Sequence, residues 1–243
     1  FSHTCAVSCS DKISCWGDNR FGQLGSNNTN LTENQIEMRD VKQISAGGGH
    51  TCALKNDGSV SCWGNNLNGQ LGNSFNSGTN NATVTPLDVD ILNVKQITAG
   101  GTHTCALKND GSVSCWGLNI FGQLGNSLNI GTLDPNPNPL NVNISNVKQI
   151  SAGFAHTCAL KNDGSVSCWG YNIFGQLGNS QNIGTKNPNP NPLDVNISNV
   201  KKISTGQRHT CALKNDGSVF CWGYNKFGQL GNSLNFNTSD VSF

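Results

Sequence analysis

Apolar and polar positions alternate in short bursts along this chain, and nowhere do they recur with the three-to-four-residue spacing of a helix over a useful length. Pro86-Leu87-Asp88-Val89-Asp90-Ile91 alternates as a half-buried strand does, and Val94-Lys95-Gln96-Ile97-Thr98-Ala99-Gly100 is a second such run, ended by glycine. Two further runs, His103 to Lys108 and Ser112 to Trp116, flank the turn sequence Asn109-Asp110-Gly111. Four strand-like segments per unit, with no helical one, predict an all-β fold.

The pattern is periodic on a longer scale as well. One cassette returns five times: a histidine, a cysteine, a tight turn, a second cysteine, Trp-Gly, and then Gly-Gln-Leu-Gly. The histidines are His3, His50, His103, His156 and His209, at steps of 47, 53, 53 and 53 residues. A unit that repeats so regularly buries its apolar face against a copy of itself, and four strands per unit fit the four-stranded antiparallel blade of a β-propeller. The chain is therefore expected to be a single repeat domain over residues 1–243, with cassettes at 3–25, 50–72, 103–125, 156–178 and 209–231.

Strand register decides what the cysteines do. With Asn56-Asp57-Gly58 as a three-residue loop and Gly58 left-handed, Lys55 faces Ser59, Leu54 faces Val60, Ala53 faces Ser61, and Cys52 faces Cys62. Directly opposed residues on antiparallel strands lie within disulfide reach. The same spacing pairs Cys5 with Cys15, Cys105 with Cys115, Cys158 with Cys168 and Cys211 with Cys221, leaving Cys9 unpaired or intermolecular. His50, Cys52 and Cys62 also present three metal-ligand types on one strand face. They lack a fourth ligand and any Cys-x-x-Cys knuckle, so the disulfide is favoured and no metal or cofactor is expected. Repeated bridges point to an oxidising compartment, and the protein is expected to be extracellular or at the cell surface.

Charged residues make up only 12% of the chain and the net charge is +1, which leaves no electrostatic footprint for nucleic acid or an anionic membrane. No apolar run approaches a membrane span. The repeated Trp16, Trp63, Trp116, Trp169 and Trp222 are read as packing between blades, and the five histidines as structural hydrogen-bonding residues. In Gly122-Gln123-Leu124-Gly125 the glycines serve sharp turns and the leucine plugs the core. The proline-rich stretches Asp134 to Pro139 and Asn187 to Pro192 are expected to be stiff connections at the outer edge. Glycosylation sequons occur at Asn27, Asn30, Asn81, Asn143, Asn196 and Asn237.

The cassette His-Thr-Cys-Ala-Leu-Lys-Asn-Asp-Gly-Ser-Val-Ser-Cys-Trp-Gly followed by Gly-Gln-Leu-Gly closely resembles the regulator-of-chromosome-condensation repeat, over nearly the whole chain. The resemblance implies a propeller, in that family usually seven-bladed. The paired cysteines make this chain more similar to secreted bacterial members than to the nuclear exchange factor, whose GTPase and chromatin roles they and the charge oppose. A light-sensing relative carries Gly-Trp-Arg-His-Thr; the matching stretches here, among them Gly101-Thr102-His103 and Gln207-Arg208-His209, lack the tryptophan. A secreted inhibitor of β-lactamases in the family implies that the scaffold can act as a pure protein binder.

No carboxylate pair, triad or metal cluster stands apart from the repeat, so no catalytic residue is expected. The favoured function is a non-catalytic extracellular or cell-surface module for protein recognition or structure, with a protein partner or self-association. The alternative is a regulator or inhibitor of an enzyme or GTPase acting through one propeller face. Contact residues are sought where the cassette varies. One set follows the strand-ending glycine: Phe1-Ser2, Gly48-Gly49, Gly101-Thr102, Phe154-Ala155 and Gln207-Arg208. The other follows Trp-Gly: Asp18, Asn65, Leu118, Tyr171 and Tyr224, with Phe21, Phe121, Phe174 and Phe227 nearby. From these, Thr102, Leu118, Phe154, Tyr171, Gln207, Arg208 and Tyr224 are the candidate contacts, against the reading that the aromatics only fill gaps between blades. Joining the chain ends would leave out one strand, so the five repeats are expected to be an arc of a longer, seven-bladed ring, with a closed five-bladed ring as the alternative.

Overall fold

The computed structural model describes residues 3–8, 12–28, 33–233 and 241–242, and among these the chain forms five antiparallel sheets. The first has three strands, His3–Val7, Lys12–Gly17 and Glu33–Glu37. The second comprises Val41–Ala46, His50–Lys55, Val60–Gly64 and Thr83–Asp88; the third Val94–Ala99, His103–Lys108, Val113–Gly117 and Leu140–Asn141. The fourth is built likewise from Val147–Ala152, His156–Lys161, Val166–Gly170 and Leu193–Asp194, and the fifth from Val200–Thr205, His209–Lys214, Val219–Tyr224 and Val241–Ser242. These sheets are propeller blades, and the strands that open the second to fifth pack on one another from blade to blade.

The grouping of strands differs from the order in which they are met along the chain. The alternating segment before Val94 does not open the third sheet; as Thr83–Asp88 it closes the second, pairing Leu87 with Cys62 and Asp88 with Ser61. An extended segment shows its alternation in sequence but not its hydrogen-bonding partner, and here the nearer hairpin is the one already completed.

Each hairpin turns as its residues require. Gly58 has φ 85° and closes a turn in which its N–H reaches the Lys55 carbonyl at 3.0 Å. The Asp57 carboxylate accepts from the Ser59 N–H at 2.8 Å and from the Ser59 hydroxyl at 2.7 Å. The register places Cys52 opposite Cys62, and the same opposition holds in all five sheets. Disulfides join Cys5–Cys15, Cys52–Cys62, Cys105–Cys115, Cys158–Cys168 and Cys211–Cys221, each with Cα atoms 4.1 Å apart. Cys9 lies outside the described residues, as do Phe1, Ser2, Asn30 and Asn237.

The core lies between sheets. Cys105, Leu107, Val113, Cys115 and Leu124 of the third sheet meet Ile150, Ala159 and Trp169 of the fourth. Trp63, Trp116 and Trp169 are fully buried, and each indole N–H donates across the seam to a Gln carbonyl of the preceding Gly-Gln-Leu-Gly turn at 3.0 Å. Trp16, with no sheet in front of it among the described residues, is 42% exposed. Along the inner strands a second clasp forms. Gln43 donates to the Ile97 carbonyl at 2.7 Å and accepts from the Ile97 N–H at 3.1 Å, and Gln96 and Gln149 repeat this one blade on.

Histidine completes each seam. Thr157 donates its hydroxyl to the Gln123 carbonyl at 3.0 Å, so that oxygen must accept from His103 Nε2, 2.9 Å away, which assigns the Nε2–H tautomer. Nδ1 is then bare, buried and, among the described residues, without a partner, its ring pressed against Gly100. A side chain at Gly100 would strike the His103 ring and come within 2.7 Å of the Gly153 carbonyl. Gly100→Ala is therefore expected to destabilise the protein by about 2–3 kcal/mol, read as a lowered denaturant midpoint at unchanged slope. A variant as stable as the parent would show that this contact relaxes freely.

The proline connectors are held more firmly than edge spacers would be. Asn136 is buried; its N–H donates to the Asn68 carbonyl of the preceding sheet at 3.2 Å, and its amide donates to Gly117 O at 2.9 Å. Asn189 repeats both ties, to Phe121 and Gly170. The prolines therefore hold an interblade asparagine in place.

Candidate protein-recognition face

The two sets of varying residues lie at the same end of the strands, and the backbone stitches them together. The amide N–H of Leu118 donates to the carbonyl of Thr102, that of Tyr171 to Ala155 and that of Tyr224 to Arg208, each at 2.9 Å. Geometry requires this: the loop leaving each inner strand and the loop following Trp-Gly sit side by side at the end opposite the Asn-Asp-Gly turn.

Onto this scaffold the aromatic side chains stack across seams. Phe121 of the third sheet lies 4.2 Å, centroid to centroid, from Tyr171 of the fourth, and Phe174 of the fourth lies 4.7 Å from Tyr224 of the fifth. Tyr224 also meets Phe227 edge-on at 6.1 Å. The Arg208 guanidinium sits 4.9 Å from the centre of the Phe174 ring and 5.6 Å from that of Tyr224. At the far end of the row, Arg20 pairs with Asp18 at 2.8 Å, and this bond holds the Asp18 carboxyl below the ordinary carboxylate range.

Burial sorts the candidates. Tyr224 is buried beneath its neighbours, and Tyr171, Thr102 and Leu118 are half-buried. Arg208 and Gln207 are exposed, as is Phe154 at 49%. Phe227, 77% exposed, belongs with this group although it was not among the seven candidate contacts. Gap-filling and exposure are thus both realised, on different residues of one row.

Beneath the face the polar groups are committed to structure. Asn66 accepts the Leu71 N–H on its side-chain oxygen at 3.0 Å and donates to the carbonyls of Asn73 and Phe75, folding the long loop back on itself. Asn119 and Asn172 do the same. The repetition of Asn19, Asn66, Asn119, Asn172 and Asn225 after Trp-Gly was the sequence signal for this bracket. Burial holds His50, His103 and His156 down to a pKa of about 3 and His3 to about 4, so all four are neutral at pH 7.

Known proteins are similar to this chain in sequence and in fold. The chain is 32% identical over 245 residues to the ultraviolet-B receptor UVR8 of Arabidopsis thaliana, covering 95% of the chain and 53% of the receptor. It is 38% identical over 240 residues to the human probable E3 ubiquitin-protein ligase HERC4, covering 95% of the chain and 22% of the ligase. The chain thus spans about half, or much less, of these relatives' length. Among solved structures, Prp20p of Saccharomyces cerevisiae superposes with a TM-score of 0.84 at 23% identity over 99% of this chain and 60% of that one. Human WBSCR16 gives 0.83 at 25% identity over 99% and 64%. The family model of the RCC1-like domain matches residues 1–242, and by that match, with its five repeated blades, this chain belongs to the RCC1-like domain family.

Proposed function

We propose that this chain is a non-catalytic protein-recognition module that works outside the cytosol, through the face on which its blades differ. One observation carries the reading. The seams are built from the same residues each time, while the loops at one strand end diverge into Phe154, Gln207 and Arg208, all exposed, at the end that also carries the recurrent, exposed Phe227 and a packed aromatic row. Aromatic residues and arginine are the types that anchor protein contacts, and repeat scaffolds diversify the loops that meet partners. The fold has precedent in this use, since yeast Prp20p was characterised for its binding to Gsp1p and histones. Five disulfides, three of them wholly buried, support an oxidising location.

The test is a triple variant, Phe154→Ser, Arg208→Gln and Phe227→Ser. Because these side chains are exposed, its melting temperature is expected to stay within a few degrees of the parent. Capture of the native partner from the secreted fraction of the source is expected to be lost. Retained capture would remove this face from the function.

A further inference from the structure

Two exposed cations stand at the aromatic end of the fifth sheet. At the aromatic end of the second to fifth sheets, the short stretches 47–49, 65–69, 100–102, 118–122, 153–155, 171–175, 206–208 and 224–228 contain no aspartate or glutamate, while the longer connections at that end carry Asp134 and Lys186, both exposed. The short stretches contain two charged residues, Arg208 and Lys226, both exposed and both in the fifth sheet. In the first sheet, four sheets from Arg208 in chain order, Asp18 is taken by Arg20 and Glu33 lies opposite Trp16. The turn aspartates Asp57, Asp110, Asp163 and Asp216 all lie at the opposite end. Among the described residues, neither Arg208 nor Lys226 is in an ion pair.

Arg208 is also held in place. The rings of Phe174 and Tyr224 support its guanidinium, and its own carbonyl accepts the Tyr224 N–H. Among the described residues its side chain makes no hydrogen bond or ion pair. A guanidinium on aromatic rings keeps its N–H fork in plane for a carboxylate, and weak hydration makes it a better receptor than an ammonium. Phe227, 77% exposed, provides apolar surface beside Tyr224. Taking the aromatic end as a protein contact surface, we infer that its partner is an acidic peptide segment. One carboxylate is received by Arg208 and a neighbouring aromatic side chain lies on Phe227.

The experiment uses the full chain and two capped peptides, Gly-Glu-Phe-Glu-Gly and its glutamine counterpart, followed by NMR of the labelled protein. The glutamate peptide is expected to shift the Arg208, Tyr224 and Phe227 signals and to bind about tenfold or more tightly than the glutamine peptide at low salt. Arg208→Gln is expected to abolish that difference, and Arg208→Lys to restore only part of it, since charge returns without the planar fork. Equal binding of the two peptides, an Arg208→Gln variant that still discriminates, or no shift with millimolar peptide overturns the inference. If both peptides bind equally but the shifts stay on the aromatic loops, the contact face stands and the carboxylate receptor falls. If the shifts fall instead on the Asn-Asp-Gly turns, both fall.

Discussion

Acidification from pH 7 to pH 4 is expected to unfold this protein, with the loss beginning near pH 6.5 rather than in the carboxylate range. The cause is the row of buried histidines. An unfolded histidine takes up its proton near 6.5, whereas His50, His103 and His156 resist protonation down to about 3 and His3 to about 4. Their folded values are depressed, so the stability they contribute is complete above 6.5 and is lost progressively as pH falls toward those values. Each pH unit below 6.5 at which such a histidine stays neutral removes about 1.4 kcal/mol, so each fully buried one withdraws on the order of 3 kcal/mol by pH 4. Three or four together approach the whole stability of an ordinary domain, about 5–15 kcal/mol. Burial is the main cause of the depressed values, and neighbouring charge adds to it where His50 feels His3 and His103 and where His156 feels His103 and His209. The turn aspartates, held low chiefly by the following serine, act in a separate window below the ordinary carboxylate range. Urea titrations at half-unit pH steps test this. Unfolding is expected to take up more than two protons between pH 6 and 4.5, and about one fewer in His103→Gln. A stability flat to pH 4.5 would rule out the buried neutral row.

Reduction is expected to have the second large effect, and to proceed in a fixed order. Both sulfurs of Cys52–Cys62, Cys105–Cys115 and Cys158–Cys168 are fully buried between sheets, whereas Cys211 and Cys221 are half-buried. A thiolate must reach a sulfur to exchange with it, so Cys211–Cys221 is expected to open first in the native protein, with the three central bridges opening only as the blades part. A loop of this size contributes about 3 kcal/mol per bridge on the chain-entropy model, so losing the central three removes about 9 kcal/mol. Pulsed alkylation and mass spectrometry along a reductant series would follow the order. Central pairs labelled as early as Cys221, or a melting temperature unchanged after full reduction, would contradict it.

The strands, the turn and the bridges were legible because each rests on local chemistry. Asn56-Asp57-Gly58 sets the register, and the register alone brings Cys52 to Cys62. The burial of Trp116 and the hydrogen bonding of His103 were legible as roles, but their partners one repeat away were not. Nothing in a single cassette says that Thr157 relays His103 to a Gln123 carbonyl, because the relay exists only when two cassettes meet. The Gln43 clasp left a trace in the recurrence at Gln96 and Gln149 and its replacement by Lys202. Variability between cassettes marks the loops of the proposed face, but variability does not report burial. Tyr224, a strong candidate by residue type, packs under its neighbours, and Phe227, of the same type, stands exposed.

The Gln clasp joins residues 54 positions apart at each of its three occurrences, and the histidine bond does so at His50, His103 and His156. The joints from the second sheet to the fifth are therefore made from the same parts at the same pitch, while the first spans 48 positions from His3 to Thr51. A recombination that drops one 53-residue period, joining Thr102 to His156, leaves a chain in which each remaining joint finds the partner chemistry it had before. The number of blades can thus change by unequal crossing-over in the gene with no new joint to invent, and the loops at one end are free to drift meanwhile.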